Sequence, residues 1–90
     1  MRTPIYTNKF QKDLEKCKKR QLDIEGIKTV MGKLISGEQL EPKYNNHPLS
    51  GDYVNCWDCH IHPDWLLIYM LDNKANTITF LRTGTHADLF

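Results

Sequence analysis

The chain has 90 residues, enough for one domain with a small core, because a domain near this size buries only about 60% of its unfolded surface. Its 12 basic and 11 acidic side chains nearly cancel to a net charge of +1, so total charge gives no indication of nucleic-acid binding. No stretch approaches the roughly 18 apolar residues of a membrane span, and the first ten residues lack the apolar run of a secretory signal. We therefore expect a single cytoplasmic domain, residues 1–90, with no membrane partner and with reduced cysteines.

The amino-terminal part of the chain predicts a first helix with one basic side. Thr7 or Asn8 can cap this helix, in which Phe10, Leu14 and Cys17 recur at helical spacing. The side away from these apolar residues carries Lys9, Lys12, Lys16, Lys19 and Arg20. From charge alone a solvated helix surface is the favoured interpretation, and a stripe that follows nucleic-acid phosphates is the alternative.

A second helix is predicted from about Asp23, as its cap, to Ser36, with Gly37 as its stop signal. Its apolar side is formed by Ile24, Ile27, Val30, Met31, Leu34 and Ile35. The following segment, 37–52, has little periodicity and contains His47. Because long irregular loops are uncommon in small domains, we expect this segment to serve a function.

The remainder predicts strands at about Tyr53 to Ile61, Trp65 to Leu71 and Thr77 to Arg82, after a short extended piece at Thr3 to Tyr6. Short links between the three strands imply antiparallel neighbours. The run WLLIYML is apolar on both faces and predicts a central strand that is covered on both sides. The predicted fold class is α+β, a small antiparallel sheet with two amino-terminal helices packed on one face.

The segment CWDCHIHPDW, residues 56–65, contains two cysteines, two histidines and two aspartates, the side chains most often used as catalysts or metal ligands. Cys56, Cys59 and His60 spell the C-x-x-C-H of covalent haem attachment, but the chain has no export signal. A structural zinc site would need a second pair of ligands, and in a strand positions 56 and 59 point to opposite faces. We expect one thiol to be packed inward and the other exposed.

Two interpretations of the histidines remain. His60, His62 and Asp64 alternate as H-x-H-x-D and can share one face of an extended segment as metal ligands, although metallo-hydrolase folds need a longer chain. Alternatively, the histidines at positions 47, 60, 62 and 86 carry protons without a metal. Spacing alone does not show that they converge.

Three segments resemble the signature blocks of the YafQ branch of the RelE-type bacterial toxins. They are NHPLSG (46–51), HIHPDWLLIY (60–69) and RTGTHADLF (82–90), and they occur in the order and spacing of that family. The resemblance covers essentially the whole chain and implies the RelE-like fold, two helices followed by an antiparallel sheet. It also implies a ribosome-dependent mRNA endonuclease of a type II toxin-antitoxin system.

Carried over by position, the resemblance implies a catalytic set that needs no metal or other cofactor. Its members are His47, His60, Asp64, Arg82, His86 and Phe90. His62, Cys56 and Cys59 lie outside the family pattern. For RNA binding the resemblance favours the stripe of Lys9, Lys12, Lys16 and Lys19, and it adds Trp65, for which a core role is an equal alternative.

Cleavage of RNA without a metal requires proton removal from a 2'-hydroxyl, stabilisation of charge on phosphorus and proton donation to the 5'-oxygen. We expect Asp64 and His86 to transfer protons, Arg82 to hold phosphate oxygens, and Phe90 and Trp65 to stack on bases. Arg82 and His86 are expected at the edge of the sheet.

The implied partners are an antitoxin, mRNA and ribosomal RNA, with operator DNA reached only through the antitoxin complex. The alternative functions are an inactive toxin homologue that only pairs with an antitoxin and, less favoured, the metal-dependent hydrolase.

Overall fold

Both predicted long helices are present in the computed structural model, which describes residues 1–90 apart from the side chain of Asp52. Helix α1 spans Asn8–Lys19, and the hydroxyl of Thr7 accepts a hydrogen bond from the Phe10 amide as its amino-terminal cap. Helix α2 spans Ile24–Ser36, with Asp23 as its cap and Gly37 in the left-handed conformation at φ 84° as its stop. Within the described residues no helix is long and apolar enough to cross a membrane.

The sheet has five strands in the order β1-β5-β4-β3-β2. Their bounds are Thr3–Tyr6 (β1), His47–Pro48 (β2), Trp57–His62 (β3), Trp65–Asp72 (β4) and Thr77–Gly84 (β5). The links between β3, β4 and β5 are short, and these strands are antiparallel as predicted. Strand β1 runs parallel to β5, so the sheet is mixed rather than antiparallel throughout. No short link joins β1 to β5, because two helices and three strands lie between them in the chain.

The long segment after α2 is ordered by short elements. Residues Pro42–Tyr44 and Gly51–Tyr53 form single 3₁₀ turns, and β2 between them pairs with β3. The predicted strand from Tyr53 therefore begins only at Trp57. A last element, α3 (His86–Leu89), was not predicted because four residues carry no periodic pattern.

Apolar side chains cover both faces of the sheet, which confirms β4 as a central strand. The larger core lies between the sheet and the helices α1 and α2 and includes Phe10, Val30, Leu67, Tyr69 and Phe80. The smaller core lies on the opposite face and consists of Cys56, Leu66, Ile68 and Leu89, with Leu49, Tyr53 and Leu81 packed against it.

The two thiols of C-x-x-C point to opposite faces, as expected, but both are buried. Cys59 belongs to the larger core and Cys56 to the smaller one. The expectation that one of them is exposed is wrong because α3 and the segment before β3 cover the second face. Burial raises the pKa of Cys59 to about 12, which disfavours the thiolate that a zinc site needs.

Helix α3 is held in place by Asp88. Its carboxylate accepts a hydrogen bond from the Thr85 amide and two from the Arg20 guanidinium at 2.8 and 3.4 Å, so it links α3 to the end of α1. The bonds from Arg20, and next that from Thr85, hold the pKa of Asp88 well below its usual range.

We expect Asp88→Asn to lower the melting temperature at pH 7, by an amount equivalent to about 1 kcal/mol. An acid with a lowered folded pKa stabilises the fold above its unfolded value of about 3.9 and loses this contribution as pH falls through the folded value. The deficit relative to wild type should therefore shrink below about pH 4. Thermal unfolding at several pH values measures it, with Glu15→Gln, from the exposed 3.4 Å pair with Lys18, as a control that should change little.

Candidate active site

Three histidines and one aspartate meet on the face of the sheet opposite α1 and α2. His47 on β2 is the cross-strand partner of Asp58 on β3, and His60 lies two residues beyond Asp58 on the same strand. Cross-strand partners and residues two apart in a strand share a face. His86 reaches the same face from the start of α3.

The aromatic rings of this region form a row. Ring centroids lie 6.1 Å apart between His47 and His60, 5.8 Å between His60 and His86, and 6.3 Å between His86 and Phe90. Tyr53 extends the row, with its ring edge-on to Phe90 at 5.6 Å. Phe90 is 64% exposed, so much of its ring is accessible to solvent.

Asp64 fixes the orientation of His86. The carboxylate Oδ1 lies 2.8 Å from His86 Nδ1 and also accepts the His86 amide hydrogen at 3.3 Å. The bond from the ring, then that from the amide, lowers the pKa of Asp64. An anionic carboxylate only accepts, so Nδ1 is the donor in this bond and Nε2 takes no part in it.

Asp58 is the buried member of the group, and sequence patterns did not single it out. Its side chain is 5% exposed, and Oδ1 lies 3.1 Å from His47 Nε2. Burial raises the pKa of Asp58, while His47, His60 and His86 act in the opposite direction. Its place two residues before His60 was visible in the sequence, but its pairing with β2 was not.

Arg82 forms its hydrogen bonds with Asp13 and not with the histidine group. It belongs to β5, an interior strand, so the expectation that it sits at the sheet's edge is wrong. Its guanidinium donates to Asp13 on α1 at 2.6 and 3.2 Å, which raises the pKa of Arg82. It lines a cavity of about 510 Å³ together with Lys9 and Tyr53.

Trp65 has a core position. It is 3% exposed, and its indole donates a hydrogen bond to the buried Thr83 hydroxyl at 2.8 Å. The expectation that it stacks on RNA bases is therefore corrected, because no face of the ring is free.

The lysines of the stripe on α1 are exposed, and within the described residues none of them forms an ion pair. They are Lys9, Lys12, Lys16 and Lys19.

His62 does not join the other histidines. A β-bulge shifts the register between His60 and His62, and the His62 ring instead stacks on Trp65 and lies 3.2 Å from Asp23 at the cap of α2. The proposed metal set of His60, His62 and Asp64 is therefore not assembled on one face. The exclusion of His62 from the catalytic set agrees with this placement.

Comparisons with known proteins agree with the fold and with the family resemblance. A family model described as "Bacterial toxin of type II toxin-antitoxin system, YafQ" matches residues 2–90. The mRNA interferase toxin YafQ of Escherichia coli K12 is 41% identical over 86 residues, which cover 94% of this chain and 91% of that protein.

Solved structures superpose over the full chain. The crystal structure of the E. coli DinJ-YafQ complex has a TM-score of 0.92 and 38% identity, covering 100% of this chain and 99% of that one. A metal-bound toxin from Helicobacter pylori has a TM-score of 0.93 and 38% identity, with 100% of both chains covered. The chain therefore belongs to the YafQ family of bacterial toxins of type II toxin-antitoxin systems.

Proposed function

We propose that this toxin is an endoribonuclease that cleaves mRNA on the ribosome by proton transfer between histidines, without a metal or other cofactor. The observation that carries the proposal is His86, fixed by Asp64 and standing beside His60 at 5.8 Å between ring centroids. Two imidazoles at this separation can serve the two oxygens on opposite sides of one phosphorus. The name mRNA interferase, given to the E. coli relative, supports mRNA as the substrate.

In the proposed reaction one imidazole takes the 2'-hydroxyl proton as the 2'-oxygen bonds to phosphorus. The bond from phosphorus to the 5'-oxygen breaks, and a second imidazole protonates that oxygen. The products are a 2',3'-cyclic phosphate and a 5'-hydroxyl. Imidazoles suit both steps because each can hold or release a proton near neutral pH.

We assign the proton-transferring atom of His86 to Nε2 and the second proton to His60. Asp64 is a positioning residue, because a carboxylate with a lowered pKa is a weak base and its oxygen is bonded to His86. The two residues were expected to transfer protons together. In this proposal only His86 transfers a proton, and Asp64 holds it in position. His47 lies on the far side of His60, and we assign to it the orientation of the phosphate.

RNA on the 3' or 5' side of the cleaved bond would continue along the row of rings. Phe90 stacks on a base, and Tyr53 connects this end to the cavity lined by Lys9 and Arg82. Two donors of Arg82 already bind Asp13, so we assign Arg82 to a flanking phosphate rather than to the cleaved one. Positive charge there favours the polyanionic backbone.

The lysine stripe on α1 is proposed to rest against ribosomal RNA. We expect the double change Lys12→Glu and Lys16→Glu to weaken ribosome binding, more at low salt than at high salt, because exposed charges are screened. The slope of log affinity against log salt should fall by about 0.9 for each phosphate that the variant no longer neutralises. Lys28→Glu with Lys74→Glu gives the same change in net charge elsewhere and should affect binding less. Weaker binding that does not depend on salt would contradict the assignment.

A cognate antitoxin is the proposed protein partner, as DinJ is in the E. coli complex, and operator DNA would be reached only through that complex. We place the reaction in the cytoplasm, where the ribosomes are. The alternative of an inactive homologue is disfavoured because the chain retains all of His47, His60, Asp64 and His86 on one surface. A degenerate copy would have no need to preserve them.

Mapping the 5' ends of transcripts after brief induction tests this proposal. New ends at fixed positions within codons would support cleavage on the ribosome. New ends without reading-frame phase would support cleavage of free RNA, and the absence of new ends would overturn the nuclease assignment. Purified toxin that is treated with EDTA and then freed of the chelator should keep its full activity on translated mRNA, since the histidines supply both proton transfers.

A further inference from the structure

We propose that Tyr69 is a positioning residue of the candidate active site, because its buried hydroxyl holds Asn46 and thereby fixes His47 in the row of rings. Tyr69 lies on β4 and is 2% exposed, with its ring in the larger core. Its hydroxyl donates a hydrogen bond of 2.6 Å to the side-chain oxygen of Asn46, the residue before β2. The effect on cleavage rests on the function proposed above, whereas the placement of His47 can be measured without it.

Strand β2 needs this support because its own pairing is weak. It consists of only His47 and Pro48, which pair with Asp58 and Trp57 of β3. It is also the last strand at one edge of the sheet, so its backbone is paired on one side only. A strand of two residues forms few backbone hydrogen bonds, and these alone hold His47 loosely.

The hydroxyl of Tyr69 reaches across β3 on the face covered by the helices. Tyr69 is the cross-strand partner of Trp57, and Trp57 is that of Pro48, so the three strands lie side by side here. The contact with Tyr69 places the Asn46 side chain on the helix-covered face. The next side chain, that of His47, lies on the other face, as alternation along an extended chain requires. Tyr69 therefore holds the start of β2 from the face opposite the one on which His47 acts.

The same contact supports the bond that orients the His47 ring. Asn45 has the left-handed backbone conformation, φ 45° and ψ 50°, and its carbonyl lies 2.7 Å from His47 Nδ1. A carbonyl only accepts, so Nδ1 donates in this bond. The left-handed conformation is costly for residues other than glycine, although less so for asparagine, and a fixed Asn46 keeps the chain from relaxing out of it. His47 Nε2 then lies 3.1 Å from Asp58 Oδ1.

The chemistry of the two partners makes Tyr69 the fixed member of the pair. Burial raises the pKa of this phenol, so the hydroxyl stays protonated and donates. A buried tyrosine hydroxyl is costly to leave without a partner. Asn46 is exposed and can bond to water instead, so the bond is retained because the hydroxyl requires it.

Tyr69→Phe tests the proposal, because it removes the hydroxyl and keeps the ring in the core. We expect kcat for cleavage of translated mRNA to fall about fivefold, the factor that corresponds to one hydrogen bond of about 1 kcal/mol. KM for the ribosome should not change, because ribosome binding is assigned to the lysine stripe on α1. NMR spectra of the imidazole nitrogens in full-length toxin, at a pH where the ring is neutral, should show His47 shifting from the Nδ1-protonated form to a mixture of tautomers.

Asn46→Ala removes the acceptor from an exposed residue and decides the question if Tyr69→Phe does not fold. It should lower kcat by the same factor, and the double variant should fall no further, because both changes remove one interaction. Asn46→Asp keeps an acceptor oxygen and should restore most of the activity that Asn46→Ala loses. The matched control is Tyr44→Phe, which removes a tyrosine hydroxyl from the segment before β2 and keeps the ring in its cation–π contacts. Its kcat and its His47 signals should equal those of wild type.

Four results would overturn the assignment. They are a wild-type kcat in Tyr69→Phe, a lower kcat with unchanged His47 signals, effects of the two changes that add in the double variant, and a control that falls as far as Tyr69→Phe. Changed His47 signals in a protein that never cleaves RNA would overturn the proposed function and leave the positioning of His47 by Tyr69 standing.

Discussion

Replacing His86 with glutamine is expected to reduce the rate of RNA cleavage by about 10²- to 10⁴-fold, the range typical of removing a proton-transfer group. The physical reason is that glutamine can reproduce a hydrogen bond to Asp64 but cannot exchange a proton at the position of Nε2. The fold should persist, because the His86 side chain is 56% exposed and belongs to neither core. The measurement is cleavage of a translated mRNA by purified toxin, alongside its melting temperature.

The control for this variant is His62→Gln. His62 is similarly exposed, at 54%, and it also has a carboxylate partner, but it lies on the other side of the bulge in β3. We expect it to cleave at the wild-type rate. The cleavage rate of Asp64→Asn should lie between those of the two histidine variants. Its amide oxygen can still accept a hydrogen bond from His86 Nδ1, but the negative charge beside the ring is removed. Equal reductions in the His62 and His86 variants would overturn the assignment of proton transfer to His86.

Local signals were sufficient to predict the two long helices, α1 and α2. The Thr7 and Asp23 caps and the Gly37 stop are short-range features, and each lies where the pattern placed it. The parallel pairing of β1 with β5 has no such signal, since it joins residues more than seventy positions apart, such as Thr3 and Thr77. Helix α3 is too short to show a helical pattern of apolar residues. Its candidate site residues, His86 and Phe90, were identified only by the family resemblance.

The site itself was only partly predictable from the residues. Sequence spacing placed His60 and Asp64 in one segment, and the family resemblance added His47 and His86. Neither showed that a bulge would turn His62 away or that β2 would set His47 opposite Asp58. Both results depend on strand register, because a one-residue slip would move each side chain to the opposite face of the sheet. The pairing of Arg82 with Asp13 depends in the same way on how α1 packs against β5.

Asp58→Asn is expected to have opposite effects on activity and stability. Burial disfavours the charged carboxylate, and Oδ1 has no hydrogen-bond partner among the described residues. Removing that buried charge should stabilise the fold by about 1 kcal/mol, or roughly 4–8 °C in melting temperature for a chain of this size. Cleavage should fall by about 10²-fold, because the variant no longer has the charge that positions His47 and His60.

The matched control for Asp58 is Asp23→Asn, with both proteins freed of metal by EDTA that is then removed. Asp23 contacts a histidine at nearly the same distance, 3.2 Å against 3.1 Å, but its side chain is 50% exposed and that of Asp58 only 5%. Asparagine caps helices about as well as aspartate, so this variant should keep both its melting temperature and its activity. If Asp58→Asn melts below wild type, the carboxylate is already well satisfied in the folded protein. If it melts higher and cleaves at the wild-type rate, the buried charge has no part in the reaction, and catalysis depends on the histidines and Asp64 without it.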